Sequence, residues 1–173
     1  MEPVGRSREL PRPERAREQG GLEDSVIQIY RCSKVVKGGR KFSFAAMVVV
    51  GDHNGHVGIG YGKANEVPAA VEKGVAEAKK SMVAVKLRGG TIPHAISGHF
   101  GASKVRMLPA SEGTGVIAGK KLRPLLELAG VRDVLTKAYG STSPKNLLKA
   151  GLDALKRLRT VEEVAALRGV EIE

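Results

Sequence analysis

Two glycine-rich runs carry residue types that could hold a phosphate: GIGYGK at 58–63 and EGTGVIAGKK at 112–121. A Walker loop needs Gly, four residues, then Gly-Lys-Ser/Thr, so that backbone amides wrap the phosphates and the hydroxyl reaches magnesium. In the first run Lys63 is followed by Ala64, and its glycines alternate along an expected strand. In the second, Gly113 to Gly119 is one residue too long, and no Ser or Thr follows the Lys pair. A dinucleotide fingerprint fails as well, because the first glycines close a hairpin rather than open a strand-to-helix crossover. The second run keeps a sound anion-binding logic if it leads into a helix N-terminus, where free amides and the helix dipole face the ligand. A tight turn at a helix start fits it equally. Gly98-His99-Phe100-Gly101 matches a GxxG clamp but lacks the helix–loop–helix context of that motif.

A different chemistry gathers around residues 31–41, where Arg31, Lys34, Lys37, Arg40 and Lys41 flank Gly38 and Gly39. A glycine loop bearing cations can follow a curved phosphate backbone without steric conflict. Catalytic constellations are missing. The central carboxylates (Asp52, Glu66, Glu72, Glu77, Glu112, Glu127, Asp133 and Asp153) suit caps, turns and helix faces rather than a pair beside a nucleophile. His53, His56, His94 and His99 have no Cys pair or acidic cluster that would make a zinc site. Cys32 stands between Arg31 and Lys34, yet a lone Cys on a strand reads as packing. We therefore expect no enzyme, no metal and no cofactor.

The elements that must position these residues are legible from period and punctuation. Val26–Val36 reads as a strand. Phe42–Val50 is a second strand, with Phe42, Phe44, Ala46, Val48 and Val50 on one face and Ser43, Ala45, Met47 and Val49 on the other. Apolar on nearly both sides, it is expected to be central. Asp52-His53-Asn54-Gly55 is a hairpin turn. In the third strand Val57, Ile59 and Tyr61 alternate with Gly58, Gly60 and Gly62, a bare face for close approach of backbone or RNA. Asn65 and Pro68 open a helix whose buried stripe is expected at Val67, Val71, Val75, Ala78 and Met82. Residues 86–101, with Gly89-Gly90, Pro93, Gly98 and Gly101, read as a linker. A second module follows: a strand at Lys104–Leu108, a glycine loop, a helix at Lys120–Ala129 beginning near Ala118, a strand at Val131–Tyr139 and a helix from Ser143-Pro144 to Arg157. Thr160–Leu167 allows a last short helix before Gly169.

Composition says where the attraction lies. The chain has 29 Lys and Arg against 18 Asp and Glu, net +11. Residues 1–25 carry five Arg and six acids, and residues 158–173 two Arg and four Glu, so the middle carries net +14. A polyanionic partner, most often nucleic acid, would meet the folded body rather than the tails. Three Phe, three Tyr and no Trp leave phosphate contacts and shape to do more than base stacking. One Cys forbids an intrachain disulfide and suggests a reducing compartment. No signal peptide or membrane-length apolar run is visible. Residues 1–24, Pro-rich and mixed in charge, read as a disordered tail.

The run GGRKFSFAAMVVVGDHNGHVGIGYGKANEVPAAVEK closely resembles the signature of the bacterial small-subunit ribosomal protein five family. PASEGTGVIAG at 109–119, LELAGVRDVLTKAYGS at 126–141 and SPKNLLKAGLDAL resemble its second half, in the same order. The resemblance covers about residues 26–158. It implies an α+β protein: a double-stranded-RNA-binding-like β-β-β-α domain at 22–85, the 86–101 linker and a C-terminal α/β domain at 102–158. That leaves tails at 1–21 and 159–173. It further implies a cytoplasmic constituent of the small ribosomal subunit that binds ribosomal RNA where head meets body. Family members support translational accuracy, help form the messenger RNA entrance and touch ribosomal proteins four and eight. The resemblance implies RNA contacts at Lys37, Gly38, Gly39 and Arg40 and places Arg31 and Arg40 near the messenger path; charge and the bare glycine face add Ser33, Lys34, Lys41, Gly58, Gly60, Gly62, Lys63, Lys120 and Lys121 as expected RNA contacts. Lys120, Lys121 and Arg123 make the helix after the second glycine loop more basic than the family pattern, and Pro124 is unusual there. Two other readings stay open: an enzyme using ASEGTGVIAG on a phosphorylated small molecule, and a free-standing duplex-RNA binder.

Overall fold

The computed structural model describes residues 21–169. Most of the expected N-terminal tail, and residues 170–173, lie outside it. Three strands, β1 (Glu23–Val36), β2 (Gly39–Gly51) and β3 (His56–Ala64), pair antiparallel in sequence order, and a two-residue β4 (Val83–Ala84) adds to the outer edge of β3. The first strand starts earlier than expected. Leu22 and Val26 pack into the core and Glu23 already pairs with Gly51, so the tail stops short of residue 24. A register shift between Val26 and Gln28 lets the long β1 bend.

Helix α1 (Val67–Lys80) lies across this sheet through its small residues. Of the expected stripe Ala78 is buried, while Val67, Val71, Val75 and Met82 are only half-buried; the other buried positions are Ala70 and Gly74. The cause is the glycine face of β3. A Cβ on Gly62 would stand 2.0 Å from the Ala70 carbonyl oxygen, on Gly60 1.9 Å from that of Gly74, and on Gly58 2.2 Å from that of Ala78. Four residues of helix rise about 6 Å and two of strand about 6.6 Å, so the two rows stay in step over three contacts. Side chains of α1 and the residue after it also serve the outer edge of β3. Glu77 accepts the Tyr61 N–H at 3.0 Å, and the Ser81 hydroxyl donates to the Ile59 carbonyl at 2.9 Å. Asn65 does not cap the helix; Glu66 is the N-cap residue and makes no side-chain bond there.

The second module forms a mixed sheet. Its strands are β5 (Ile96–Phe100), β6 (Ser103–Pro109), β7 (Val116–Ile117) and β8 (Val134–Gly140), ordered β5-β6-β8-β7, with only the β7–β8 pair parallel. The linker reading is corrected here, because its last residues are β5 and Ile92 within it is fully buried. The helix expected at Lys120–Ala129 is also shorter: α2 spans Arg123–Leu128. Pro124 falls in its first turn, where the missing N–H is no loss, and Gly119–Leu122 form a preceding turn closed by Leu122 N–H to Gly119 at 2.8 Å. Helix α3 (Pro144–Lys156) packs Ala150 and Ala154 against Gly98, and α4 (Val161–Arg168) follows. The last helix carries a capping box between Thr160 and Glu163 and ends at Gly169 in the left-handed region.

The two modules share one core. Ala46, Val48 and Val50 pack under α1, while Met47, Val49 and Val57 join Leu125, Leu126, Leu128 and Leu155 on the opposite side of the first sheet. This is why β2 is apolar on both faces: it is the middle layer. The β2–β3 turn is keyed into the end of α2. His53 and Gly55 donate backbone N–H groups to Leu128 and Ala129 at 3.0 and 3.1 Å. His53 and Gly55, rather than Asn54, take the positive φ of this turn. The Asp52 carboxylate accepts from the N–H groups of Asn54 (2.8 Å) and His56 (2.9 Å).

Candidate nucleic-acid interface

Beyond Phe44–Ala64, the last pair of β2 with β3, the β1–β2 ladder continues alone for five pairs, Cys32–Ser43 to Val36–Gly39. At about 3.4 Å per residue this arm projects roughly 17 Å before the Lys37-Gly38 turn. Ser33, Lys34, Lys37, Gly38, Gly39, Arg40 and Lys41 are all exposed and belong to it, and the exposed Arg31, opposite Phe44, stands at its base. Directly opposite residues share a face. Arg31, the Ser33–Phe42 pair and the Val35–Arg40 pair therefore lie on the side of α1, while Lys34 stands opposite Lys41 on the other.

Three features prepare the arm for an anion. No carboxylate lies within ion-pair distance of its five cations among the described residues. Lys34 and Lys41 face each other, a pairing that repels and that an intervening phosphate would relieve. The Arg31 guanidinium lies 3.8 Å from the Phe42 ring centroid, which fixes a long side chain that would otherwise lose more freedom on binding. Phe42 remains 47% exposed. This stacked pair was missed in the sequence, although its signal was there: diagonal partners in a hairpin pair Arg31 with Phe42.

The remaining expected contacts separate. Gly58, Gly60 and Gly62 are corrected: they are buried beneath α1 and present nothing to RNA. Lys63 is exposed at the end of β3, opposite Ala45. Lys120 is exposed in the turn before α2, in the second module, and Lys121 donates to the Thr142 carbonyl at 2.8 Å, tying two loops of that module. The EGTGVIAGKK run does not feed a helix N-terminus. Its middle is β7, and α2 begins only at Arg123.

Electrostatic perturbation gathers at the module junction instead. His53 Nδ1 lies 2.8 Å from the Glu127 carbonyl and Nε2 2.7 Å from the Glu23 carboxylate. Both partners only accept, so the imidazolium alone can donate to both. The Glu23 hydrogen bond, against some burial, raises the His53 pKa above its ordinary value. Burial pushes Asp52 upward, but the amides of Asn54 and His56 and the His56 ring hold it below the usual carboxylate value. His53 thereby ties the β2–β3 turn to both α2 and β1. No group of three or more potential metal ligands occurs among the described residues, and no helix there is long and apolar enough to cross a membrane.

Fold and site together define a two-domain α+β protein with a projecting cationic arm. Residues 22–86 match the family model described as ribosomal protein S5, N-terminal domain, and residues 98–168 match ribosomal protein S5, C-terminal domain. The small ribosomal subunit protein uS5 of Rhodopirellula baltica is 55% identical over 152 residues, covering 88% of this chain and 86% of that protein. The uS5 protein of Psychromonas ingrahamii is 53% identical over 153 residues, covering 88% and 92%. The chain belongs to the ribosomal protein S5 family, a family of ribosomal proteins and not of enzymes.

Proposed function

We propose that this protein is a structural constituent of the small ribosomal subunit and that the β1–β2 arm is its principal contact with ribosomal RNA. The observation that carries this reading is the projecting two-stranded ladder, which with its base bears five exposed cations that have no acidic partner among the described residues. The names of its relatives support the assembly. The resemblance of the arm and of the second-module motifs supports the finer reading. In it the protein sits where head meets body, neighbours ribosomal proteins four and eight, borders the messenger RNA entrance and supports accuracy. The arm works by charge and fit. Arg31, Lys34, Lys37, Arg40 and Lys41 neutralise phosphates, and Gly38 and Gly39 keep the tip slim enough to enter a groove.

The test is binding of the purified chain to small-subunit ribosomal RNA over a salt series, with cosedimentation alongside small subunits after a high-salt wash. Affinity should fall steeply with salt, on a log–log slope set by the phosphates neutralised. A protein that ignores this RNA at low salt, or is washed from the particle, contradicts the proposal. Saturating ATP should give no thermal stabilisation; a clear shift would favour the nucleotide-enzyme reading.

A further inference from the structure

Helix α4 rests on the molecule with little apolar contact, and none of its residues is buried. Its attachment is polar. The Lys86 ammonium donates to both Glu163 carboxylate oxygens at 2.6 and 2.7 Å, and the Arg159 N–H just before the helix donates to His94 Nε2 at 3.2 Å. Between α4, the end of α3 and the start of β5 runs a cleft of about 820 Å³, whose lining includes Lys86, Ile96, Lys156, Arg159, Glu163 and Leu167. Its wall joins an apolar side chain to free positive charge. Leu167 is 71% exposed, and Lys156 and Arg159 are exposed cations with no ion-pair partner among the described residues. The nearby acids are engaged, Glu163 by Lys86 and Asp153 by Arg157 at 3.5 Å.

From this we infer that the cleft is the docking site of the chain's own segment Val170-Glu171-Ile172-Glu173. Helix α4 ends at the rim of the cleft, and Gly169, with a φ of 64°, turns the backbone there instead of continuing the helix. Four extended residues reach about 14 Å, enough to cross a cleft of this volume. The segment alternates β-branched and acidic residues, so an extended backbone puts Val170 and Ile172 on one face and Glu171 and Glu173 on the other. The apolar pair covers Leu167 and Ile96, and the two carboxylates meet Lys156 and Arg159. Exposed ion pairs contribute little singly, so the apolar burial supplies most of the attraction and the charges set the register. A polyanion without an apolar side matches only half of this wall. Tethering beside the cleft favours this segment over the same segment of a second copy. Once docked, it staples α4, a helix too short to be stable alone, onto the body.

The experiment is amide hydrogen exchange of the full chain, read at Val164–Arg168 in a charge-reversal cycle. Glu171→Lys/Glu173→Lys and Lys156→Glu/Arg159→Glu should each speed exchange about fivefold, and the four changes together should return it to within about twofold of wild type. The Arg159 bond to His94 is made by the backbone and survives these substitutions. Val170→Ser/Ile172→Ser keeps every charge and should speed exchange by a similar factor, about fivefold. Wild-type exchange in the Glu171→Lys/Glu173→Lys variant would overturn the inference, as would two effects that add without restoration. Restoration that grows with protein concentration would assign the cleft to a second copy and refute the inference as well. No RNA enters the measurement, so its outcome is independent of the arm's.

Discussion

Two glycine-bearing regions lie within thirty residues of each other, and they use glycine for opposite ends. At Gly58, Gly60 and Gly62 the missing side chains let α1 settle on β3, and the space a Cβ would need is filled by backbone. At Gly38 and Gly39 a Cβ would meet nothing within 4 Å, and only the φ of +140° at Gly39 calls for glycine. One region is bare so that the protein can close on itself. The other is bare so that it can reach something else. A glycine row alone does not say which; the element packed against it does.

This contrast can be broken by substitution. Gly60→Ala should be the most damaging change, costing about 3 kcal/mol or more in denaturant unfolding, because neither the Gly74 carbonyl nor the strand can give way. Gly38→Ala should stay within about 0.5 kcal/mol of wild type. Equal effects would erase the distinction. Next in size, Lys37→Ala/Arg40→Ala/Lys41→Ala should leave unfolding unchanged while weakening RNA at least about tenfold, with a slope shallower by about 2 to 3. Loss of stability without loss of binding would reverse the roles given to the two regions.

Gly39→Ala should cost about 1 kcal/mol through backbone strain alone, which a melt and an RNA titration would register together. The smallest effect belongs to the turn that joins the glycine strand to the second module. His53 has a raised pKa, so its stabilising contribution is complete below its ordinary value of 6.5 and is lost as pH rises through the folded-state value. Both partners are about half exposed, which limits the effect to under about 1 kcal/mol. His53→Gln should flatten the stability–pH curve above about pH 6. A curve parallel to wild type would mean that the ring does not hold the junction in its charged form.

Much of the fold was legible because local signals agreed with tertiary demand. The double-faced apolarity of β2 announced a middle layer, and the Pro144 and Thr160 starts marked α3 and α4. Errors arose where the decision belonged to a distant partner. Hydrophobic period places Ala78 correctly in the α1 stripe, but the glycine face selects Ala70 and Gly74 over the valines beside it. The start of α2 was blurred by a glycine loop that pairs as β7 instead of entering the helix. The residues after Gly90 looked like a linker because glycine and proline dominate them, although Gly98 is a packing position under α3. For the site, the arm's cations were plain in the sequence. The Arg31–Phe42 stack needed strand register to appear.

The most direct test of the central claim is tethered cleavage of RNA from the arm's tip. The chain has one Cys, so a Cys32→Ser background carrying Gly38→Cys gives a single attachment point for an iron–EDTA group, at a position where added atoms meet nothing. In reconstituted small subunits the reagent should cut ribosomal RNA at a few clustered positions, and those cuts should disappear in the Lys37→Ala/Arg40→Ala/Lys41→Ala background. Incorporated protein that gives no cuts above those of the free reagent would contradict the account.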